Sequence, residues 1–109
     1  MEHDATDWLD EIVALVNGLN ARFPTHAGVF HQVSRLAEET GELAQQVNCM
    51  EGMGIKHAKN GPPRREDVAK EVLDVVKSAV AIAAFYDVLP EVRSLTMRKV
   101  AAYRADGWI

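Results

Sequence analysis

Apolar positions recur at intervals of three and four along most of the chain and do not alternate as a half-buried strand would, so the pattern predicts helices throughout. Two proline sites and one glycine-rich stretch cut it into segments. The first helix covers residues 6–22, with Trp8, Leu9, Ile12, Val13, Leu15, Val16 and Leu19 on its apolar side, Asp4 or Thr6 as N-cap, and Phe23-Pro24 as its end. Gly18 weakens its later turns by about 1 kcal/mol relative to alanine. The second, residues 27–50, places Val29, Val33, Leu36, Thr40, Leu43 and Val47 on one stripe that suits a bundle seam. Residues 51–63 contain Gly52, Gly54, Gly61 and Pro62-Pro63 and read as a loop. In the third helix, residues 64–87, Val68, Val72, Val75, Val76, Ala79, Ala83 and Tyr86 share a side that Leu73, Val80 and Ile82 widen, which predicts burial on more than one front. Pro90 opens a fourth helix to about residue 104, carrying Val92, Leu95, Thr96, Lys99, Val100 and Tyr103 at the same spacing.

The expected fold is therefore all-α: a single domain over residues 1–109, built as a small bundle of about four helices. A folded monomer of this length buries only about 60–68% of the surface its unfolded chain exposes, so the broadly apolar third helix is expected to meet another subunit in a homodimer or homotetramer. With 48% hydrophobic and 26% charged residues, the composition argues against disorder, collagen-like repeats and a disulfide scaffold. Cys49 is the only cysteine, and Met1, Glu2, His3 and Asp4 lack the basic and apolar regions of a secretory signal, so a cytoplasmic protein is expected. No apolar run approaches the roughly 18 residues of a membrane span, since Asp74, Lys77 and Ser78 interrupt Val72 to Ala84. A net charge of -4 disfavours a nucleic acid polymer or an anionic lipid surface as partner.

Chemistry concentrates in acids. The second helix carries Glu38, Glu39 and Glu42, and the third carries Glu71 and Asp74, so each helix offers carboxylates at i and i+3 on neighbouring turns. At about 100° per residue, Glu39 lies roughly 75° from its stripe centre and Glu42 about 135°, while Glu38 points nearly opposite. Glu71 and Asp74 lie about 100° and 160° from theirs, again on a common flank. Antiparallel packing would bring all four together. One such pair alone is usually a solvated face. Here Glu38 and Glu39 have no opposite charge four residues on, because Glu42 and Leu43 stand there, so helix stability does not account for them. Four carboxylates in one place raise one another's pKa unless a cation neutralises them. All-oxygen donors favour Mg²⁺, with Mn²⁺ as a substitute, and Mg²⁺ commonly engages substrate phosphates. A di-iron bundle would need Glu-x-x-His, and Glu42 and Asp74 stand where those histidines belong.

The motifs Glu38-Glu39-Thr40-Gly41-Glu42 and Glu71-Val72-Leu73-Asp74, with their flanks LAEETGELAQQV and EVLDVVKSAVAIAA, resemble the EExxE and ExxD signature of the MazG-type all-α nucleoside triphosphate pyrophosphohydrolases, over residues 5–104. The resemblance implies that Glu39, Glu42, Glu71 and Asp74 ligate Mg²⁺, and that Glu38 is a further ligand or orients and deprotonates the attacking water. The implied reaction splits a nucleoside triphosphate, non-standard or deoxy, between its α and β phosphates to leave the monophosphate and pyrophosphate. The family also tends to carry a C-terminal Lys-x-x-x-Asn-x-x-Arg-like stretch that meets phosphates. Here Lys99 matches its lysine, Tyr103 stands in place of the asparagine and Asp106 in place of the arginine, with Arg104 a substitute contact. That departure leaves a second reading, a nucleotide-binding or interaction module without catalysis on the same bundle.

Lys56, His57, Lys59, Arg64 and Arg65 give residues 51–65 the charge of a lid for polyphosphate, and the glycines give it freedom. His26 and His31 lack a cysteine partner at zinc spacing and suit packing or a base contact. Trp8, Phe23 and Phe30 read as core at helical spacing, with base stacking as the alternative. Cys49, with no base near it in sequence, reads as an inert thiol.

Overall fold

The computed structural model describes residues 7–109, so Asp4 and Thr6, the caps expected from sequence, lie outside the described residues. Five α-helices succeed one another: α1 (Trp8–Arg22), α2 (Val29–Met50), α3 (Gly54–Asn60), α4 (Arg65–Phe85) and α5 (Leu89–Ala105), with a 3-10 turn at Pro24–His26; no strand occurs among the described residues. Asp7 caps α1, its carboxylate accepting from the Leu9 N–H at 2.9 Å. Phe23-Pro24 ends α1 as expected, and Pro90 sits in the first turn of α5.

The stretch read as a loop contains α3. Its seven residues span too few turns to show a periodic stripe, and a helix this short needs packing to form. That packing comes from α2. The Nδ1–H of His57 donates to the Cys49 carbonyl at 2.9 Å, and the Cys49 thiol donates to the Gly61 carbonyl at 3.3 Å. Gly61 closes α3 at φ 76, a left-handed conformation that glycine adopts without a Cβ clash. The expected lid is thus tied down at His57, and Cys49 is buried as part of the tie.

The third predicted helix is α4, and it is the hub: α1, α2 and α5 all pack on it. Its two contact sides differ in chemistry. Towards α1 it buries Val80 and Ala81 against Ile12 and Val16, with Leu9, Val13, Leu73, Val76, Ala84 and Leu89 packed around them. Towards α2 it buries Glu71 and Ser78, and α2 answers with Gln32 and Glu39. Gln32 shares a cavity with Ser78 while Glu39 meets Glu71, so the two helices run antiparallel.

The face α2 turns to α4, running through Gln32, Leu36, Glu39, Leu43 and Gln46, is rotated roughly 60° from the apolar stripe expected as the seam. Val33 and Val47, on that stripe, remain 50% and 49% exposed. Trp8, Phe23 and Phe30, read as core, are exposed too, as are Leu15 and Leu19 of α1, Val72 of α4 and Tyr86 just beyond its end. The physical reason is that one chain supplies too little surface to cover these faces. The radius of gyration is 17.0 Å, against roughly 13 Å for a compact chain of this length. No helix among the described residues is long and apolar enough to cross a membrane.

Candidate metal centre

The rotation of α2 sets up the site, because it carries Glu39 from the flank of the stripe into the helix–helix contact. Ligand oxygens of Glu39, Glu42 and Glu71 all lie within 4.8 Å of one another. Glu39 and Glu71 are buried, while Glu42 stays open to solvent, so the cluster has two anchored members and one side from which a ligand can enter.

Asp74, the fourth expected ligand, does not join this trio at that distance. Its Oδ2 accepts from Lys70 Nζ at 2.9 Å and its Oδ1 faces Lys77 Nζ at 3.6 Å. Lys70 also reaches Glu71 Oε1 at 3.4 Å, and Arg35 faces Glu39 at 3.9 Å. Arg35 stands four residues before Glu39, so an opposite charge at helical spacing exists after all, on the N-terminal side and not at i+4.

Burial pushes the Glu39 carboxyl above its ordinary range, and the negative charge of Asp74 and the hydrogen bond and charge of Glu42 push it further, with Glu71 adding to them. Among the described residues Glu71 Oε2 has no hydrogen-bond partner, although its side chain is only 9% exposed. A buried carboxylate oxygen left unpaired is costly. The donor set therefore fits a divalent cation: hard oxygens, convergent, with an orphaned acceptor and mutual repulsion that a positive charge relieves.

Beside the cluster lies a cavity of about 330 Å³ between α1, the 3-10 turn, α2 and α4. Arg35 and Lys77 stand on its wall and also pair with Glu39 and Asp74, so they connect cavity to carboxylates. Gln32 and Ser78 line it as well; the Gln32 amide donates to the His26 carbonyl at 2.9 Å, and the buried Ser78 hydroxyl has no partner among the described residues. At one side Phe23 stacks on His26 (6.1 Å between centroids) and His26 on His31 (4.6 Å), so the two histidines pack on each other.

Of the remaining expected residues, Glu38 is exposed on α2, Lys99 and Arg104 are exposed on α5, and Lys56 is exposed on α3, lining a separate cavity with Met53 and Ile55. Helix α5 is held at its start, packing on α4 while Arg93 pairs with Asp7 and Asp10 of α1. Sequence reasoning missed Arg35, Lys70 and Lys77, the cations nearest the acids. Their offsets of three and four from Glu39 and Asp74 carried the signal.

No protein-family model matches the chain, and neither does a curated protein nor a solved structure.

Proposed function

We propose that the chain is a divalent-cation-dependent nucleoside triphosphate pyrophosphohydrolase of the MazG type. The observation that carries the reading is the convergence of Glu39, Glu42 and Glu71, together with a buried Glu71 Oε2 that has no partner among the described residues. Bound there, Mg²⁺ or Mn²⁺ would supply positive charge against the triphosphate and acidify a water. Glu39, Glu42, Glu71 and Asp74 hold the cation; Glu38, one position before Glu39 on the solvent side, orients the attacking water and takes its proton. Water adds to the α phosphorus, the bond to the bridging oxygen breaks, and pyrophosphate leaves. The nucleoside fits the adjacent cavity, whose volume falls at the lower end of ligand sites. Arg35 and Lys77 lie where phosphates pass from cavity to cation, and Lys99, Arg104 and Lys56 are the further phosphate contacts. On this reading the protein works on cytoplasmic nucleotide pools, removing non-standard or excess deoxynucleotides.

The open shape supports a homo-oligomer. The chain exposes 7977 Å², about 2,000 Å² more than a compact monomer of its mass, and about 4,000 Å² for two such chains lies within the range that obligate subunit contacts bury.

The test incubates purified protein with a panel of nucleoside triphosphates and Mg²⁺ or Mn²⁺ and assays pyrophosphate. Release from at least one nucleotide is expected, and Glu42→Gln or Asp74→Asn lowers it at least ~100-fold with far-ultraviolet circular dichroism unchanged, since even partners of metal ligands are worth 10–100-fold. Nucleotide bound in calorimetry but never consumed would favour a binding module instead.

A further inference from the structure

We propose that Lys70 and Lys77 are exchangeable counter-ions of Asp74, holding its carboxylate away from the other acids until a divalent cation takes over its charge, and then turning to the phosphates of the substrate. The proposal rests on the pyrophosphohydrolase reading. Asp74 is the one acid of the four outside the close trio, and it is the one with a lysine on each oxygen. The three residues lie at i, i+4 and i+7 of α4, where helical geometry stacks them along one face. A metal approaching Asp74 meets one oxygen hydrogen-bonded to Lys70 and the other facing Lys77, and two ammonium groups at that face repel an arriving dication, so metal and lysines compete for Asp74. The exchange is cheap on the lysine side. The Lys70 side chain is 67% exposed, and a pair at this spacing with a well-solvated lysine changes an equilibrium about twofold.

Once displaced, the two ammonium groups do not lose their use. Lys77 already stands on the wall of the cavity that lies beside the carboxylates, and Lys70 stands on the solvent side of Glu71 and Asp74. A lysine ammonium is a compact point charge with three rotatable donors, which suits phosphate oxygens arriving with the metal. The arrangement thus links the two ligands: the metal frees the cations that the polyphosphate needs.

The experiment titrates metal-free protein with Mn²⁺, following the free ion by electron paramagnetic resonance in about 0.15 M salt, where long-range charge effects are screened. Lys70→Met is expected to bind Mn²⁺ about twofold tighter and the Lys70→Met/Lys77→Met double variant about fivefold tighter, while Arg98→Met, the same loss of charge at an exposed position of α5, matches the wild type. Calorimetry with Mg²⁺-tripolyphosphate, a probe without a base, is expected to show the opposite order, with the double variant several-fold weaker. Unchanged or weaker Mn²⁺ binding by the double variant, an equal gain in Arg98→Met, or undiminished tripolyphosphate binding overturns the exchange while leaving the metal site standing. A wild-type protein that takes up no Mn²⁺ overturns the metal site and the exchange together.

Discussion

Glu39 shows how one residue acquires a property its neighbours in sequence cannot give it. On an isolated helix it is a carboxylate beside Arg35; in the fold it is buried against Glu71 and Asp74 of another helix, and its carboxyl is raised above the ordinary value of 4.5. A raised carboxyl contributes stability that is fully present below that ordinary value and is lost as pH rises through the raised one. Glu39→Gln is therefore expected to raise the melting temperature of metal-free protein at pH 7 and to leave it nearly unchanged at pH 4. Added Mg²⁺ should stabilise the wild type more than the variant. Thermal melts at both pH values check this, and a variant that melts lower at pH 7 without metal would contradict it. Asp7 and Asp67 respond in the opposite sense, because hydrogen bonds from Arg93 and Arg64 hold them below their usual range and their contribution fades as pH falls. At this scale the acids themselves were legible, since Glu at i and i+3 is visible in any helical reading. Which acids would be buried, and that lysines would claim Asp74, depended on the partner helix.

Among the elements, the long helices were readable because each repeats its apolar spacing over four or more turns. Their observed limits differ from the expected ones by a residue or two, as frayed ends do. Helix α3 was not readable, for the converse reason: it forms because α2 supplies contacts and hydrogen bonds to His57 and Gly61. Gly61→Ala tests that dependence. A Cβ there meets no described atom within 4 Å, so the penalty is the backbone alone, a positive φ with extended ψ that is essentially reserved for glycine, about 1–3 kcal/mol. Chemical denaturation should show that loss, and hydrogen exchange should speed first in residues 54–61. A variant as stable as the wild type would mean that α3 is not pinned through Gly61.

For the whole molecule, the unusual feature is how much apolar stripe one chain leaves uncovered. Val33 and Val47 lie fourteen residues apart on the same stripe of α2 and are both half exposed, while the helix turns its polar flank inwards. In the proposed homo-oligomer, a second copy of the chain covers it. The double substitution Val33→Glu/Val47→Glu is expected to shift the sedimentation or light-scattering mass towards the 12.0 kDa monomer, because two charges placed on a buried apolar stripe are each costly to desolvate. A wild-type protein that already sediments as a monomer, or a variant that keeps the wild-type mass, would place the contact elsewhere or remove it.

Periodicity, proline and glycine positions, and the doubled acidic motifs are local properties, and from them the sequence alone determined an all-helical chain, the places where its long helices begin and end, and the acids that stand three apart. The rotation of α2 against α4 is not local. It arises when two helices choose the orientation that packs both, and here that choice buried Glu39 and Glu71 in place of Val33 and Val47. Only the tertiary structure could decide that three carboxylates converge, that the fourth is held by lysines, and that a cavity opens beside them, because each depends on surfaces meeting across tens of residues of chain.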